Sequence, residues 1–355
     1  MINKKIYIVS AICLAVGGIL WGIGALFGGQ VYGMSMDGSG IRIYSNKTLQ
    51  TSDNDRMVSD KIELDAFDAM EIDVEFADCS VIASDHYGVE YQLIGRYVPE
   101  IKVEGQKLIV QENTSKLGGD HQFFSIGFIG DVWTDADPAY VKIYVPENYE
   151  GTDISMNVSS GNINLDSLSA EKITIEDSFG DLNFMTLEFD TLTVRNESGD
   201  IDGDTLRGRE ASLESEFGDI HVKTSEVSEM NYELSSGNME LAAVRGEKLT
   251  VNSEFGDVNV SNGILNKRLD VETDSGNCTL TRVAAENMEI EVSFGNVQME
   301  MEKPKEYNME LTTEFGEIRV EGQECGSSYE VKNDDTEKQI VINNSSGDIV
   351  INSVD

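Results

Sequence analysis

Basic side chains are scarce in this sequence. It has 26 Lys and Arg residues against 65 Asp and Glu residues, which gives a formal net charge of −39 at pH 7. Because proteins bind nucleic acid through Lys and Arg side chains that neutralise phosphates, this balance excludes nucleic acid as a partner. The same charge repels anionic lipid headgroups and wall polymers, and it attracts metal cations and cationic peptides. A well-solvated, self-repelling surface is therefore predicted.

Cysteine is also scarce, with four residues. Cys13 lies in an apolar N-terminal segment, and Cys79, Cys278 and Cys325 are far apart, without a CxxC pair or a nearby His. Three cysteines outside that segment do not make a disulfide framework, and their spacing does not fit a metal site. Cys278 occupies a repeat position otherwise filled by Ile, Leu, Val or Met, so we expect a small buried hydrophobic residue there.

The three histidines give no catalytic constellation. His86 and His121 lie in polar turn contexts, and His221 takes an outward position of a repeat. No GxSxG, HExxH or phosphate-loop motif is present in the sequence. Carboxylates are so abundant that their proximity would carry little information. We therefore expect no enzyme, with a glycan-processing β-helix enzyme as the alternative.

The N-terminus predicts a membrane anchor. Lys4 and Lys5 are followed by an uncharged stretch that covers positions 6–29. This stretch is long enough to span a hydrocarbon core, is longer than the apolar region of a secretory signal, and has no Ala-x-Ala cleavage site after it. An uncleaved, single-pass signal anchor is therefore predicted. The positive-inside rule places the N-terminus in the cytoplasm and the body of the chain outside the cell.

Small residues in this segment have the spacing of paired membrane helices. Gly18 and Gly22, and likewise Gly24 and Gly28, follow the small-xxx-small pattern. Glycine is common in membrane helices, so the pattern suggests self-association only as one alternative.

A Gly-Asx step recurs through two thirds of the chain. Its glycines repeat at an interval of about 20 residues, and only the last interval is clearly longer. A fixed period of this kind is typical of repeat architectures. Glycine is predicted where a Cβ would oppose the corner conformation, and Asp or Asn where a side chain can bond the local backbone of a turn. The predicted structural corners are Gly161, Gly180, Gly199, Gly218, Gly237, Gly256, Gly276, Gly295, Gly316 and Gly347.

Apolar residues alternate around each corner. In LTVNSEFGDVNV, the alternation places Leu249, Val251, Ser253 and Phe255 on one face. Alternation with a period of two predicts strands, and helical periodicity is absent after the anchor. Two short strands per period cannot bury a face alone, but stacked coils form a continuous apolar interior. The predicted fold is all-β, a parallel β-helix or β-solenoid with coils of about 19–21 residues.

The residue before each corner glycine alternates between Ser and Phe until Phe315 breaks the order. Large rings stacked against small neighbours in a close-packed interior explain this with a 19-residue turn. A 38-residue turn, with all Phe on one side, is the second explanation, and the shorter turn is favoured. Polar residues three positions before some glycines, such as Asp177, Asn196 and Asn344, are predicted to bend outward.

The Asx residues that follow the glycines form a column of oxygen ligands, which suits Ca²⁺. The calcium-binding consensus GGxGxDxUx is absent, and carboxylates at turns usually face water. No metal and no cofactor are therefore predicted.

Composition divides the chain into four parts. Residues 1–29 are the cytoplasmic stub and anchor, 30–61 a linker, 62–150 an N-terminal β cap region, and 151–355 the repeat solenoid. The apolar stretch FFSIGFIGDVW, residues 123–133, is predicted to be a strand that covers the open end, since terminal coils need capping. QIVINNSSGDIVIN is predicted to be the last coil, after a polar insertion at 324–338.

Several segments carry a family resemblance. The steps SSGNINL, ESGDIDG, SSGNMEL and SSGDIVI, the upstream runs FDAMEIDVEFADCSVIASDHYGVEYQL and VKIYVPENYEG, and the Gly-rich anchor fit one pattern. Over residues 60–355 the chain resembles the bacterial "putative adhesin" proteins of unknown function, a DUF4097-like family. The resemblance implies a right-handed, single-stranded β-helix at the cell surface, and it brings no catalytic residues.

These observations predict a membrane-anchored, extracellular, non-enzymatic surface protein that works as an adhesin or interaction scaffold. Solenoids offer long, regular faces that suit extended partners, and the partner here would be an extracellular protein or glycan. An envelope-stress sensing or regulatory role, with residues 6–29 coupling to a membrane partner, is the main alternative. A self-stacking structural rod is a third.

Overall fold

The computed structural model describes residues 32–37, 40–45, 57–94, 97–112, 124–126 and 138–354. The predicted signal anchor, Cys13 and His121 lie outside the described residues. Within the described ranges, no helix has the length and apolar character needed to cross a membrane.

The described residues are all-β, with 28 strands, and they include the short 3-10 helix Pro304–Glu306. The strands are β1 (Tyr32–Asp37), β2 (Gly40–Ser45), β3 (Met57–Glu63), β4 (Ala69–Val74), β5 (Asp78–Ser84), β6 (Gly88–Ile94), β7 (Pro99–Glu104), β8 (Lys107–Glu112), β9 (Phe124–Ile126), β10 (Tyr140–Pro146), β11 (Gly151–Val158), β12 (Ile163–Asp177), β13 (Leu182–Ser198), β14 (Ile201–Phe217), β15 (Ile220–Ser236), β16 (Met239–Leu241), β17 (Val244–Phe255), β18 (Val258–Ser261), β19 (Ile264–Ser275), β20 (Cys278–Thr281), β21 (Asn287–Phe294), β22 (Val297–Met301), β23 (Asn308–Phe315), β24 (Ile318–Val320), β25 (Gln323–Gly326), β26 (Ser328–Val331), β27 (Gln339–Ser346) and β28 (Ile349–Ser353).

The smaller of two structural units is a three-stranded antiparallel sheet in the order β2-β1-β9. Its first two strands fall within residues 30–61, so the predicted linker contains a β-hairpin. Its third strand, Phe124–Ile126, belongs to the apolar stretch that was predicted to cover the solenoid. That strand pairs with β1, and the rest of the apolar stretch lies outside the described residues.

The larger unit is a stack of parallel coils. Ile163 pairs with Leu182, which pairs with Ile201, and both steps have the same length as the interval between the corner glycines. A register shift between Gly246 and Lys248 makes one coil a single residue longer than its neighbours. The 19-residue turn is therefore confirmed and the 38-residue alternative is wrong, because adjacent coils hydrogen-bond directly at the shorter offset.

Each coil has three inward-facing runs of side chains, where two strands were expected. In β13 the period-two alternation of buried residues shifts phase twice, and each shift marks a bend of the backbone. The runs of this coil are Leu182 with Phe184, Leu187 with Phe189, and Leu192 with Val194 and Asn196. Together with the glycine corner, the two bends close the coil around one continuous apolar core.

Large and small residues alternate within this core. A Cβ placed on Gly203 would lie 2.0 Å from Cζ of Phe184 in the preceding coil. A Cβ on Gly208 would similarly lie 2.3 Å from Cδ2 of Phe189. Large rings were predicted to pack against small neighbours in the column before the corner glycines. Such packing does occur, but between the buried rings of Phe184 and Phe189 and the glycines of the next coil.

The order of the last coils differs from their order in the chain. Ile340 of β27 pairs in parallel with Met288 on one side and with Met309 on the other. The C-terminal coil is therefore inserted between two earlier coils, which corrects the prediction that it comes last. Antiparallel strands β25 and β26 line the outermost coil, along β24 and β23 respectively. These two strands cover the exposed edge of the outermost coil, and they occupy part of the predicted insertion 324–338.

The repeat also extends upstream of residue 151. Cys79 of β5 pairs in parallel with Ile163, and Met70 of β4 pairs in parallel with Ile154. These partners are much further apart in the chain than one coil, because strands β6 to β10 are inserted between them. Part of the predicted cap region, residues 62–150, therefore contributes a coil of the solenoid.

We expect Gly203→Val to destabilise the larger unit by about 1–3 kcal/mol, because the new side chain must displace the Phe184 ring from a full core. The free energy of unfolding, measured by urea titration of the full-length protein, checks this. The double variant Gly203→Val with Phe184→Leu should recover part of the loss, since the two sites are in contact. A Gly203→Val protein as stable as wild type would contradict the packing.

Candidate functional site

The glycine corner is the most regular feature of the solenoid. At all ten predicted glycines, a Cβ would lie 1.6–2.3 Å from the backbone carbonyl oxygen of the corner residue in a neighbouring coil. Eight of them also have φ between 133° and 153°, whereas Gly180 and Gly316 do not. The predicted reason for glycine was a backbone conformation at the corner that a Cβ would oppose. The constraint shared by all ten is the close approach of two backbones.

Asx side chains connect the corners from coil to coil. The backbone N–H of each Asx donates to the Oδ1 atom of the Asx in the neighbouring coil, at 2.7–3.1 Å. The final rung uses the backbone N–H of Glu317. In spatial order the ladder runs through Asp78, Asn162, Asp181, Asp200, Asp219, Asn238, Asp257, Asn277, Asn296, Asp348 and Glu317.

This ladder corrects the predicted role of the Asx residues. Each side chain bonds the backbone of the next coil and not that of its own turn. Because each Oδ1 atom accepts an N–H bond, stacked carboxylates are stabilised against their mutual repulsion. The amides of Asn238 and Asn277 also donate to Asp219 and Asp257, at 3.3 and 3.1 Å. Within the described residues, no three His, Cys, Asp or Glu side chains are placed to share a metal ion.

The Phe residues before the corner glycines lie on the outside. Their exposed fractions are 63% for Phe179, 61% for Phe217, 60% for Phe255, 66% for Phe294 and 75% for Phe315. This overturns the prediction that they pack in the interior. The backbone has already begun to bend, so that Glu254 and Phe255, two consecutive residues, are both exposed.

In space, the alternation of Ser and Phe has no break. The inserted C-terminal coil places Ser346 between Phe294 and Phe315, because Gly347 stacks between Gly295 and Gly316. We call this column the Phe ridge. It consists, in spatial order, of Phe76, Ser160, Phe179, Ser198, Phe217, Ser236, Phe255, Ser275, Phe294, Ser346 and Phe315.

The Phe ridge has a defined spacing. Phe76 is 51% exposed and precedes Ala77, whose carbonyl faces Gly161, so the ridge begins one coil before the first predicted glycine. Neighbouring coils lie about 4.8 Å apart, which places a ring at every second coil, about 9.6 Å from the next. The arrangement can bind an extended partner of matching period.

Polar side chains line the inner side of the corner. Asp177, Asn196 and Asn344 are each at most 3% exposed, so the prediction that they bend outward is wrong. Asn196 donates from Nδ2 to the carbonyls of Gly180 and Gly199, at 3.1 and 3.2 Å. Its Oδ1 atom accepts from the backbone N–H of Ser198 at 3.0 Å. The amide thus satisfies corner groups that the coil-to-coil ladder leaves open.

Asp177 occupies the same inner position but lacks these bonds. Neither of its carboxyl oxygens has a partner within hydrogen-bond geometry among the described residues. Burial, with a smaller contribution from the charge of Asp181, raises the pKa of Asp177 to about 6, and the nearby backbone N–H groups oppose this only in part. The ionised form of Asp177 is therefore less favourable in the folded protein than in the unfolded chain.

The other candidate residues do not form a site. The His86 ring lies 2.8 Å from Asp85 and stacks on Tyr144, and His221 faces outward, 3.8 Å from Asp202 in the neighbouring coil. These two histidines belong to different coils.

The cysteines of the larger unit are unpaired. Cys79 and Cys278 are fully buried, and burial raises the pKa of both thiols to about 12. The prediction that Cys278 is a small buried hydrophobic residue is confirmed. Cys325 is partly exposed and free.

We expect Gly218→Ala to destabilise the protein by about 2–4 kcal/mol, because the methyl group would lie 2.0 Å from the carbonyl oxygen of Gly199 at φ +145°. Gly105→Ala is the matched control, since φ is +58° there but nothing lies within 4 Å of a Cβ. Thermal unfolding of both variants separates backbone strain from close approach. Equal losses would mean that stacking of the corners contributes nothing.

We expect Asp177→Asn to stabilise the protein by about 1–3 kcal/mol at pH 7, because an amide can make the bonds that Asn196 makes one coil away. Burial raises the pKa of Asp177 from 3.8 to about 6, so the folded state binds its proton more tightly. Wild-type stability should therefore fall as the pH rises from about 4 to about 6, and level off above this. Unfolding of both proteins across this range is the measurement. Glu112, whose pKa burial raises to about 7, contributes equally to both, and parallel curves would contradict the assignment.

Solved structures similar to the chain include a "putative lipid binding protein" from Parabacteroides distasonis, with 10% identity, a TM-score of 0.36, and coverage of 85% of this chain and 98% of that one. A "putative adhesin" from Bacteroides fragilis has 9% identity and a TM-score of 0.31, covering 84% and 97%. A "putative cell adhesion protein" from Clostridium sporogenes has 10% identity and a TM-score of 0.20, covering 84% and 100%.

No curated protein matches the chain significantly. A family match does exist, and it extends over most of the sequence, from the coil that contains Met70 to the inserted C-terminal coil. Residues 67–352 match the family described as Toastrack DUF4097, and the chain belongs to this family.

Proposed function

We propose that this protein is a membrane-anchored, non-enzymatic surface scaffold that binds an extended partner along its right-handed stack of coils. The observation that carries the proposal is the Phe ridge. Soluble proteins rarely expose large apolar features without a function. Here six exposed rings form one column, with a ring at every second of eleven coils.

The regularity of the ridge supports binding over a structural role. Ser occupies every second position of the column, so the corner itself accepts a small polar residue there. The Phe residues at the remaining positions add little to the stability of the fold, because more than half of each residue's surface stays exposed to water. We therefore expect the rings to contact a binding partner.

The chemistry of the described residues favours binding over catalysis. The thiols of Cys79 and Cys278 are buried and protonated, and His86 and His221 stand on separate coils. The ridge itself combines aromatic rings with hydroxyl and carboxylate groups. Such a surface recognises a partner by shape and hydrogen bonding.

Location forms part of the same proposal. The uncharged stretch at residues 6–29 follows Lys4 and Lys5, which supports a single-pass anchor with a cytoplasmic N-terminus. The acidic body then lies outside the cell, where the ridge meets extracellular protein or glycan.

Site-specific photo-crosslinking in native cells tests the proposal. A photoreactive residue replaces Glu216, which is exposed beside Phe217. Glu171, an exposed Glu away from the ridge in β12, is the matched control. We expect extracellular material to be captured at position 216 and much less at position 171, because the partner lies along the ridge.

Equal capture at both positions, or none, would contradict the scaffold. Capture of an integral membrane protein through residues 6–29 alone would favour envelope-stress sensing in its place.

A further inference from the structure

We propose that the Phe ridge binds a neutral, β-1,4-linked glycan that lies along the stack, with every second sugar packed against one Phe ring. This inference rests on the proposed function and names its ligand class. It follows from the spacing of the rings, the groups beside them and the charge of the surface.

The spacing matches a disaccharide repeat. In a β-1,4-linked chain each sugar is turned by about half a rotation from the last, so the same face recurs once per disaccharide. That repeat is close to two coil spacings, about 9.6 Å. The Ser at each intervening coil leaves room for the sugar whose face points away. A ring at every coil, about 4.8 Å apart, could not pair with successive sugars.

An extended peptide fits this spacing poorly. Side chains on one face of a peptide strand recur about every 6.8 Å, because a strand rises about 3.4 Å per residue and alternates faces. Rings about 9.6 Å apart would fall out of register with such a peptide after one repeat. The ridge therefore favours a polymer whose repeating unit is longer than the two-residue repeat of a peptide strand.

Hydrogen-bond acceptors accompany the rings. The exposed carboxylates of Glu216, Glu254 and Glu314 directly precede Phe217, Phe255 and Phe315. On the other side of the rings lies the Asx ladder, the column of Asp and Asn side chains that accept backbone N–H bonds from the neighbouring coil. Its Asp residues use Oδ1 between coils, and no hydrogen bond to their Oδ2 atoms is present among the described residues. These residues are Asp78, Asp181, Asp200, Asp219, Asp257 and Asp348.

A sugar presents the complementary pattern. Its apolar C–H face packs on an aromatic ring, and its hydroxyl groups project at the edge, where carboxylates accept their hydrogen bonds. The ridge supplies rings in the middle and acceptors on both sides, which is the arrangement that a chain of sugars requires.

Charge excludes the main competitors. A second copy of this chain would bring two rows of carboxylates together, and the whole protein carries −39. Anionic lipid headgroups and anionic wall polymers are repelled for the same reason. A neutral glycan meets no such repulsion and gains hydrogen bonds from the same carboxylates.

Calorimetric titration of the full-length protein in detergent tests the inference. The probes are the hexasaccharides of chitin and cellulose, which distinguish acetylated from unacetylated β-1,4 glycans, and their disaccharides. Maltohexaose, with α-1,4 linkages, is the control for sugar binding without the matching repeat.

The decisive variant changes register without changing composition. Phe217→Ser combined with Ser236→Phe keeps the number of rings and moves one of them by one coil. Both residue types already occur in this column, so the corner tolerates them. The matched control is Met185→Ser with Ile264→Ser, which removes two exposed apolar side chains, 55% and 52% exposed, away from the ridge.

We expect one β-1,4 hexasaccharide to bind at least about tenfold more tightly than its disaccharide, because several rings act together. The register variant should lose at least about tenfold in affinity, and the Met185/Ile264 control should keep the wild-type value. Equal affinity of the register variant, or equal binding of maltohexaose, would overturn the inference. So would ridge-dependent dimerisation, measured by light scattering, without glycan binding.

The two proposals fail separately. If wild-type protein captures an extracellular partner at position 216 but binds neither hexasaccharide, the glycan inference is wrong and the scaffold stands. If it does neither, both are wrong.

Discussion

The close approach of successive corners is the constraint on which the solenoid depends. A Cβ at any of the ten corner glycines would lie within 2.3 Å of a carbonyl oxygen in a neighbouring coil. With glycine, the backbones come close enough for the corner N–H groups to bond the next coil, as Gly199 bonds Phe217 at 2.9 Å. This contact sets the coil spacing at one point of every turn, and the strands on either side follow it into parallel register.

Two columns with different roles follow from that corner. On the outer side, the Asx ladder carries hydrogen bonds from coil to coil, and the Phe ridge leaves its rings in water. On the inner side, buried polar groups such as Asn196 satisfy corner carbonyls. Asp177 is the exception, since it is buried without such bonds and its pKa is raised. A solenoid built this way keeps the exposed rings of the Phe ridge at a fixed period, because the same contacts that hold the coils together position these rings.

Much of the fold was accessible from local pattern. The 19-residue period, the parallel strands and the corner glycines follow from spacing and alternation, and the structure confirms the coil length. The three inward runs of each coil were missed, because a bend shifts the alternation by a single residue and leaves only a weak trace in sequence. The outward direction of the Phe ridge was missed for the same reason: Ser253 and Phe255 have the same parity, but the bend between them sends only the first inward.

The sequence by itself determined the repeat, because glycine at a crowded corner and apolar residues at alternate positions are local requirements. Only the tertiary structure decided which coils are neighbours. Ser346 completes the ridge between Phe294 and Phe315 because the C-terminal strand pairs on both sides with earlier ones. That order, like the partner of each Asx, depends on hydrogen bonds between residues far apart in the chain. The interval between repeats in the sequence does not show which distant strands pair with each other.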